Sequence, residues 1–230
     1  APKVSLPQVS YRETVRRPSQ VVTTYRKQSG GHGHFARVEL QVEPLEDGGN
    51  TVVFENETTG ASLPREFIRP VEMGIRRTLE EGVIAGYPVT NIKVTLVDGS
   101  YHEVDSSAMD FEIVGSMAVK EAIRKAMPAL MEPIMDLDIN VPEEHLGGVV
   151  ADVGRRRGMM HDLRIRGHYR TIDGEVPLAE ARGYATELRS LTQGRGTFSL
   201  AFKRYEVLPE EIAESIIEAN RERISRRAVA

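Results

Sequence analysis

The chain has 230 residues, 40% of them hydrophobic and 28% charged, with a formal net charge of −4. This length and composition exclude a mainly disordered protein and allow one large or two medium domains, while the absence of cysteine excludes disulfides, a thiol nucleophile and a thiolate zinc site. A near-neutral balance excludes indiscriminate coating of nucleic acid, so any such contact must be local.

The cytoplasm is the expected compartment, and no apolar run approaches the ~20 residues that span a bilayer, so no membrane partner is expected. The chain opens Ala1-Pro2-Lys3, with neither an initiator methionine nor a signal-peptide core, which fits an excised piece of a longer protein. Charge is uneven. Residues 1–30 carry Lys3, Arg12, Arg16, Arg17, Arg26 and Lys27 against Glu13 alone, and Glu39 to Glu57 is mostly acidic. Further basic clusters lie at Arg155, Arg156 and Arg157 and at Arg221 to Arg227; solvated faces account for them most simply.

In chain order, Val38, Leu40 and Val42 alternate with Glu39, Gln41 and Glu43, a half-buried strand ending near Pro44. Glu46 to Asn50 turns the chain, and Thr51 to Asn56 returns as a partner strand. Ile68, Val71, Ile75 and Leu79 fall at spacings of three and four, predicting a helix over Glu66 to Ile84 that Gly86-Tyr87-Pro88 ends. Val89 to Val97 is the next strand. Phe111, Val114, Ala118, Ala122 and Met127 mark a second helix, stopped by Pro128. The first half reads as βββαβα.

The second half repeats a different unit. Met135, Leu137, Ile139 and Val141 alternate as a strand, and Pro142-Glu143-Glu144 opens a helix with acidic residues where the dipole favours them. That helix carries Leu146, Val149, Val150 and Val153 and ends at Arg157-Gly158. Strands follow at Met159 to Arg166 and Tyr169 to Val176, then a helix over Leu178 to Leu191 and a strand over Gly196 to Arg204. This βαββαβ order predicts a ferredoxin-like domain. Glu210 to Arg227 is a C-terminal helix, and the boundary between the halves falls near Met131 to Pro133. The fold class is α+β with two domains.

Most catalytic signatures are missing. There is no GxxxxGK[ST] phosphate cradle and no GxSxG nucleophile elbow. Gly30-Gly31-His32-Gly33-His34 precedes a strand instead of opening a helix, so no helix dipole would face a phosphate. The densest chemistry is GSYHEVDSS, Gly99 to Ser107, a histidine and two carboxylates in a short polar turn. In an enzyme such a turn suggests a proton shuttle. With His32 and His34, His102 and Asp105 could also ligate a metal, giving a His-based metal-dependent enzyme as the reading from another class. His145, His161 and His168 read as surface residues.

Several motifs resemble the fourth and fifth domains of bacterial elongation factor G, in order along nearly the whole chain. They are the glycine loop Gly30 to Gly33, YHEVDSS from Tyr101 to Ser107, Glu132-Pro133-Ile134-Met135, Pro142-Glu143-Glu144-His145-Leu146-Gly147, Arg155-Arg156-Arg157-Gly158, and GYATELRSLTQGRGTF from Gly183 to Phe198. The resemblance implies a fourth domain over 1–131, of the left-handed βαβ type shared with a small-subunit ribosomal protein. A ferredoxin-like fifth domain over 132–207 and a C-terminal helix over 208–230 would follow. It implies the C-terminal part of a translational GTPase that promotes translocation of tRNA and mRNA on the ribosome, acting as a monomer. No catalytic, cofactor or metal site is expected in this chain; GTP and Mg would belong to the missing GTPase domain.

The same resemblance implies site residues. Gly30, Gly31, His32, Gly33 and His34, with Ser100, Tyr101, His102, Glu103 and Asp105, would form a tip that touches tRNA and mRNA in the small-subunit decoding site. Glycine lets backbone approach phosphates, and His and Tyr can stack or hydrogen-bond. Arg189, Ser190 and Gln193 would face large-subunit rRNA near the GTPase centre. Glu103 and Asp105 would hold the turn and the start of the next helix.

The glycine loop departs from the family pattern. Elongation factor G commonly reads GGxGQ followed by an aromatic residue and Gly, whereas here His34 replaces the glutamine and Ala36 the last glycine. This resembles divergent second copies and leaves the main translocase, a ribosome-recycling paralogue and a factor of reduced activity as alternatives. A ribosome-protection factor that expels an antibiotic is a further reading, against which the clear YHEVDSS turn counts.

Overall fold

The computed structural model describes residues 9–29, 31–46 and 50–228. Gly30, the middle of the turn expected at Glu46 to Asn50, and the side chains of Ser29, His32 and residues 222–228 lie outside the described part. The chain divides into two compact units. One comprises Arg12–Leu130 and the segment from Leu208 onward; the other is built on Met131–Val207 and includes the residues just before Arg12.

The first unit contains β1 (Arg12–Val15), β2 (Ser19–Ser29), β3 (His32–Pro44), β4 (Val52–Asn56), α1 (Arg65–Glu81), β5 (Ile92–Ser100) and α2 (Ala108–Lys125). Its sheet has the order β2-β3-β5-β4. Neighbours are antiparallel except β4 and β5, which run parallel and are joined through α1. Val38, Leu40 and Val42 of β3 and Val94 and Leu96 of β5 are wholly buried in one cluster with Val71 and Ile75 of α1 and Phe111, Val114 and Ala118 of α2. The two helices meet at glycines. A β-carbon on Gly115 would lie 2.6 Å from the Val71 carbonyl oxygen, and one on Gly74 would overlap the carbonyl of Glu112. Larger side chains there would force the helices apart.

Three strands were expected before the first helix, two of them located by residue, and there are four. Period alone hides β1 and β2, because β1 buries Glu13 and Thr14 while β2 buries Thr23 and exposes Val22. α1 stops at Glu81, short of Ile84, for a specific reason. The buried Glu13 carboxylate accepts hydrogen bonds from the backbone amides of Val83 (2.7 Å), Ile84 (3.0 Å), Ala85 (2.8 Å) and Tyr87 (3.2 Å). Amides held by a carboxylate cannot continue a helix ladder. The next strand likewise begins at Ile92 and not Val89, because Val89 and Thr90 donate to Leu79 and Glu13 carbonyls and Asn91 is left-handed (φ 57°).

The second unit follows with β6 (Pro128–Pro142), α3 (Leu146–Arg155), β7 (Met159–Arg166), β8 (Tyr169–Pro177), α4 (Tyr184–Leu191) and β9 (Thr197–Val207). The sheet order β9-β6-β8-β7, antiparallel throughout, is the ferredoxin-like arrangement. Leu137, Ile139, Val141, Val149, Val153, Ile172 and Leu188 form its core. The helix expected over Leu178 to Leu191 is split. Leu178–Ala181 is a 3-10 turn and α4 starts only after Gly183, whose φ of 72° interrupts the helix. α5 (Glu210–Ala228) ends the described chain, which is therefore α+β with two sheet-bearing units and a C-terminal helix.

The Arg155 to Arg157 cluster is more than a solvated face. Arg157 grips the buried Glu132 carboxylate with both Nη groups (2.8 and 2.9 Å), which holds the arginine's pKa above its usual value. Arg156 lies over the Tyr184 ring, donates to the carbonyls of Glu180 and Arg182, and pairs with the buried Asp152 (2.9 Å).

Candidate nucleic-acid interface

β2 and β3 pair without interruption from Ser19 opposite Val42 to Ser29 opposite His32, so the hairpin turns in two residues. Gly31 supplies a positive φ of 101° there, which a side chain would strain. The β5 to α2 loop, residues 101–107, folds across the end of this hairpin. Phe35 is where it is fastened. Its amide donates to the Asp105 carbonyl (2.7 Å), and its carbonyl accepts from Ser106 Oγ (2.6 Å), which in turn accepts from the His102 amide (2.9 Å). The His102 ring meets the Phe35 ring edge-on, with centroids 4.4 Å apart.

The hairpin is tied to α2 as well. His34 Nδ1 lies 2.9 Å from Oδ1 of Asp110, which is 2% exposed; a carboxylate only accepts, so Nδ1 carries the hydrogen. The other Asp110 oxygen accepts from Ser107 N and Oγ, and Ser107 Oγ accepts from Asp110 N, a capping box that starts α2. Asp105 therefore holds the turn, as expected, but the helix start belongs to Ser107 and Asp110. Glu103 stays exposed. Tyr101 leans on Phe67, which stacks on the buried Phe111, so the outgoing end of β5 is anchored in the core.

What this scaffold presents is an exposed crest. Tyr101, His102 and Glu103 are exposed and Val104 is 92% exposed. His102 separates two grooves. One, of about 540 Å³, runs between Arg26, Lys27 and Gln28 of β2 and the His102 and Asp105 side; the other, of about 510 Å³, is lined by Glu66, Phe67, Tyr101 and Glu103. The two faces thus differ in charge. Ser100 ends β5 opposite Arg37, half-buried below the crest. All the described tip residues come together, while His34 and His102 turn to different partners. Among the described residues no group of three His, Cys, Asp or Glu side chains could hold a metal ion.

Arg189, Ser190 and Gln193 lie together and exposed at the end of α4 in the second unit. Gly194 N donates to Arg189 O (2.8 Å) and Gln193 N to Ser190 O (3.5 Å), the pair of bonds of a Schellman motif. Gln193 occupies the left-handed position (φ 54°), where glycine is usual. Thr192 locks the turn from inside, donating to Leu188 O and accepting from Gly196 N. Arg195 braces it from outside by pairing with Glu144, whose carboxyl it holds below the usual range, and by donating to His145 Nε2 (2.8 Å). Sequence reasoning missed Asp110, Phe35 and Arg195 as supports. For Arg195 a signal existed, since it and Glu144 sit in two of the quoted motifs.

Residues 7–127 match the family description "Elongation factor G, domain IV", and residues 129–216 match "Elongation factor G C-terminus". The chain belongs to the elongation factor G family. Among solved structures it is similar to a protein of Thermus thermophilus, at 37% sequence identity with a TM-score of 0.81, over 95% of this chain and 32% of that one. The chain thus spans about a third of that relative's length. The matched domains are non-catalytic ones of an elongation factor G-like translation factor, and no helix among the described residues is long and apolar enough to cross a membrane.

Proposed function

We propose that the chain is the ribosome-binding C-terminal part of an elongation factor G-like GTPase that drives tRNA and mRNA through the ribosome. Its tip would enter the small-subunit decoding site, with the second unit against large-subunit rRNA. The parent's preceding domains bind GTP and Mg and carry out hydrolysis, and the factor works as a cytoplasmic monomer. The observation that carries this reading is the crest: His102 and Val104 stand exposed on a loop that Phe35, Asp105 and Ser106 pin to the hairpin. A pinned loop meets a bulky partner without losing ordering entropy on contact.

Arg26 and Lys27 beside His102 suit phosphates and an unstacked or minor-groove base edge. In the second unit, Gln193 holds a strained backbone conformation with an exposed side chain that no described residue engages, which supports a contact outside the chain. His34 in place of the family's usual glutamine supports a recycling paralogue as the second reading. In the full-length factor, His102→Ala should slow tRNA movement at least tenfold while GTP turnover changes less than twofold. Equal loss of both rates contradicts the tip role. A wild-type factor that splits ribosomal subunits but does not translocate selects the recycling reading.

A further inference from the structure

At the end of α2 remote from the hairpin tip, residues 16–19 close the helix. Ser19 Oγ donates to Ala122 O (2.6 Å), Arg17 Nε to Lys125 O (3.1 Å) and Arg16 Nε to Met127 O (3.4 Å), and the backbone amides of both arginines reach Ala126 O (3.1 Å each). Each guanidinium is thus fixed through Nε. Their Nη groups have no hydrogen bond or ion pair among the described residues, and both side chains are exposed. Arg124 is exposed and likewise unengaged, and Lys125, 57% exposed, shares Glu121 (2.8 Å).

Cations near a helix C-terminus complement its dipole, but one or two suffice for that. Here four lie in the last turn of α2 or on the segment that caps it, and among the described residues the one ion pair any of them makes is Lys125 with Glu121, on a chain whose net charge is −4. Two arginines pinned at Nε hold their remaining donors as ready forks, the geometry that grips phosphate oxygens in pairs. Four cations exceed what one phosphate needs and match a polyanion. Among the described residues of 16–19 and 120–127, Met127 is the one large apolar side chain that is exposed, too little for insertion into a lipid surface. We propose that Arg16, Arg17, Arg124 and Lys125 form a second RNA-contacting site, which takes backbone phosphates of structured RNA. α2, with 18 residues, sets it about 27 Å from the tip. It uses no tip residue, so it stands or falls apart from the translocation reading.

The test measures binding of the 230-residue chain to a fluorescent RNA duplex over a salt series, with anionic phosphatidylserine vesicles in parallel. Arg124→Gln disturbs no contact, and Arg16→Gln and Arg17→Gln keep a donor for the helix carbonyls. Each variant should weaken binding about threefold and lower the salt slope by about one, with the triple variant about thirtyfold weaker, while Arg69→Gln, an exposed arginine of α1 outside the site, leaves duplex binding unchanged. Should the Arg16 and Arg17 variants fail to fold, Arg124→Gln alone decides. Unchanged affinity and slope, no duplex binding by the wild type at low salt, tighter binding to vesicles, or a loss as large in Arg69→Gln would each overturn the site.

Discussion

The carboxylate of Asp105 fills the space that a β-carbon on Gly33 would need: its three carboxyl atoms lie 2.7 to 2.8 Å from that position, and Oδ1 accepts the Gly33 amide at 3.2 Å. Gly33 is required for room, since its φ is not positive. Gly33→Ala should displace Asp105 and cost about 1 kcal/mol, the worth of one hydrogen bond. Faster hydrogen exchange at the Phe35 amide should accompany it. Because the two residues share one contact, Gly33→Ala combined with Asp105→Ala should cost less than the sum of the singles.

Glu13 makes the larger single contribution to the first unit. Glu13→Ala leaves four inward amides without an acceptor and should lower the unfolding free energy by about 3 kcal/mol or more, seen as a shifted denaturation midpoint at unchanged m. Glu13→Gln should recover little, because its NH2 group faces donors. A loss under about 1 kcal/mol would mean that water replaces the carboxylate.

Acid sensitivity should arise in the second unit. Arg204, donating from both Nη groups, and Lys203 hold the Glu175 carboxyl at about 2. A carboxyl depressed in the folded state stabilises fully above the unfolded value of 4.5 and loses that contribution as pH falls toward 2. The half-exposed cations weaken the interaction, which leaves about 1–2 kcal/mol. Wild type and Glu175→Gln should therefore differ in stability near pH 6 and converge near pH 2. A gap that stays constant with pH would reject the ion-pair account.

Gln193 offers a trade between stability and contact. Gln193→Gly should stabilise the second unit by up to about 1 kcal/mol, because glycine adopts the left-handed position without strain. Ribosome binding by the same variant should weaken if the side chain touches rRNA. Arg157, in the same position at the end of α3, should respond in the opposite direction to glycine, since its guanidinium holds Glu132.

Period made β3, α1, α2 and β6 legible, because each buries apolar residues at the spacing of its own geometry; the βαββαβ order was legible too, although β7 is exposed along its whole length. β2 was hidden by an inversion: Thr23 faces in and Val22 out. The ends of α1 and α4 depended on partners that no local window contains, Glu13 seventy residues away from the loop it holds, and a left-handed Gly183. In the site, the motifs marked His102 and the glycine loop. The struts beneath them, Asp110 under His34 and Phe35 under His102, follow only from the register of β3 against β5 and the folding of the 101–107 loop.

The β2–β3 ribbon is held by α2 at both of its ends. His34 meets Asp110 near the turn, and Thr23 and Ser19 meet Glu121 and Ala122 toward the other end. A free two-stranded ribbon of eleven paired positions would bend under load. Splinted along its length, it behaves as a rigid pin: a push on Gly31 arrives at the Arg16 to Ser19 turn as displacement, with little lost to flexing on the way.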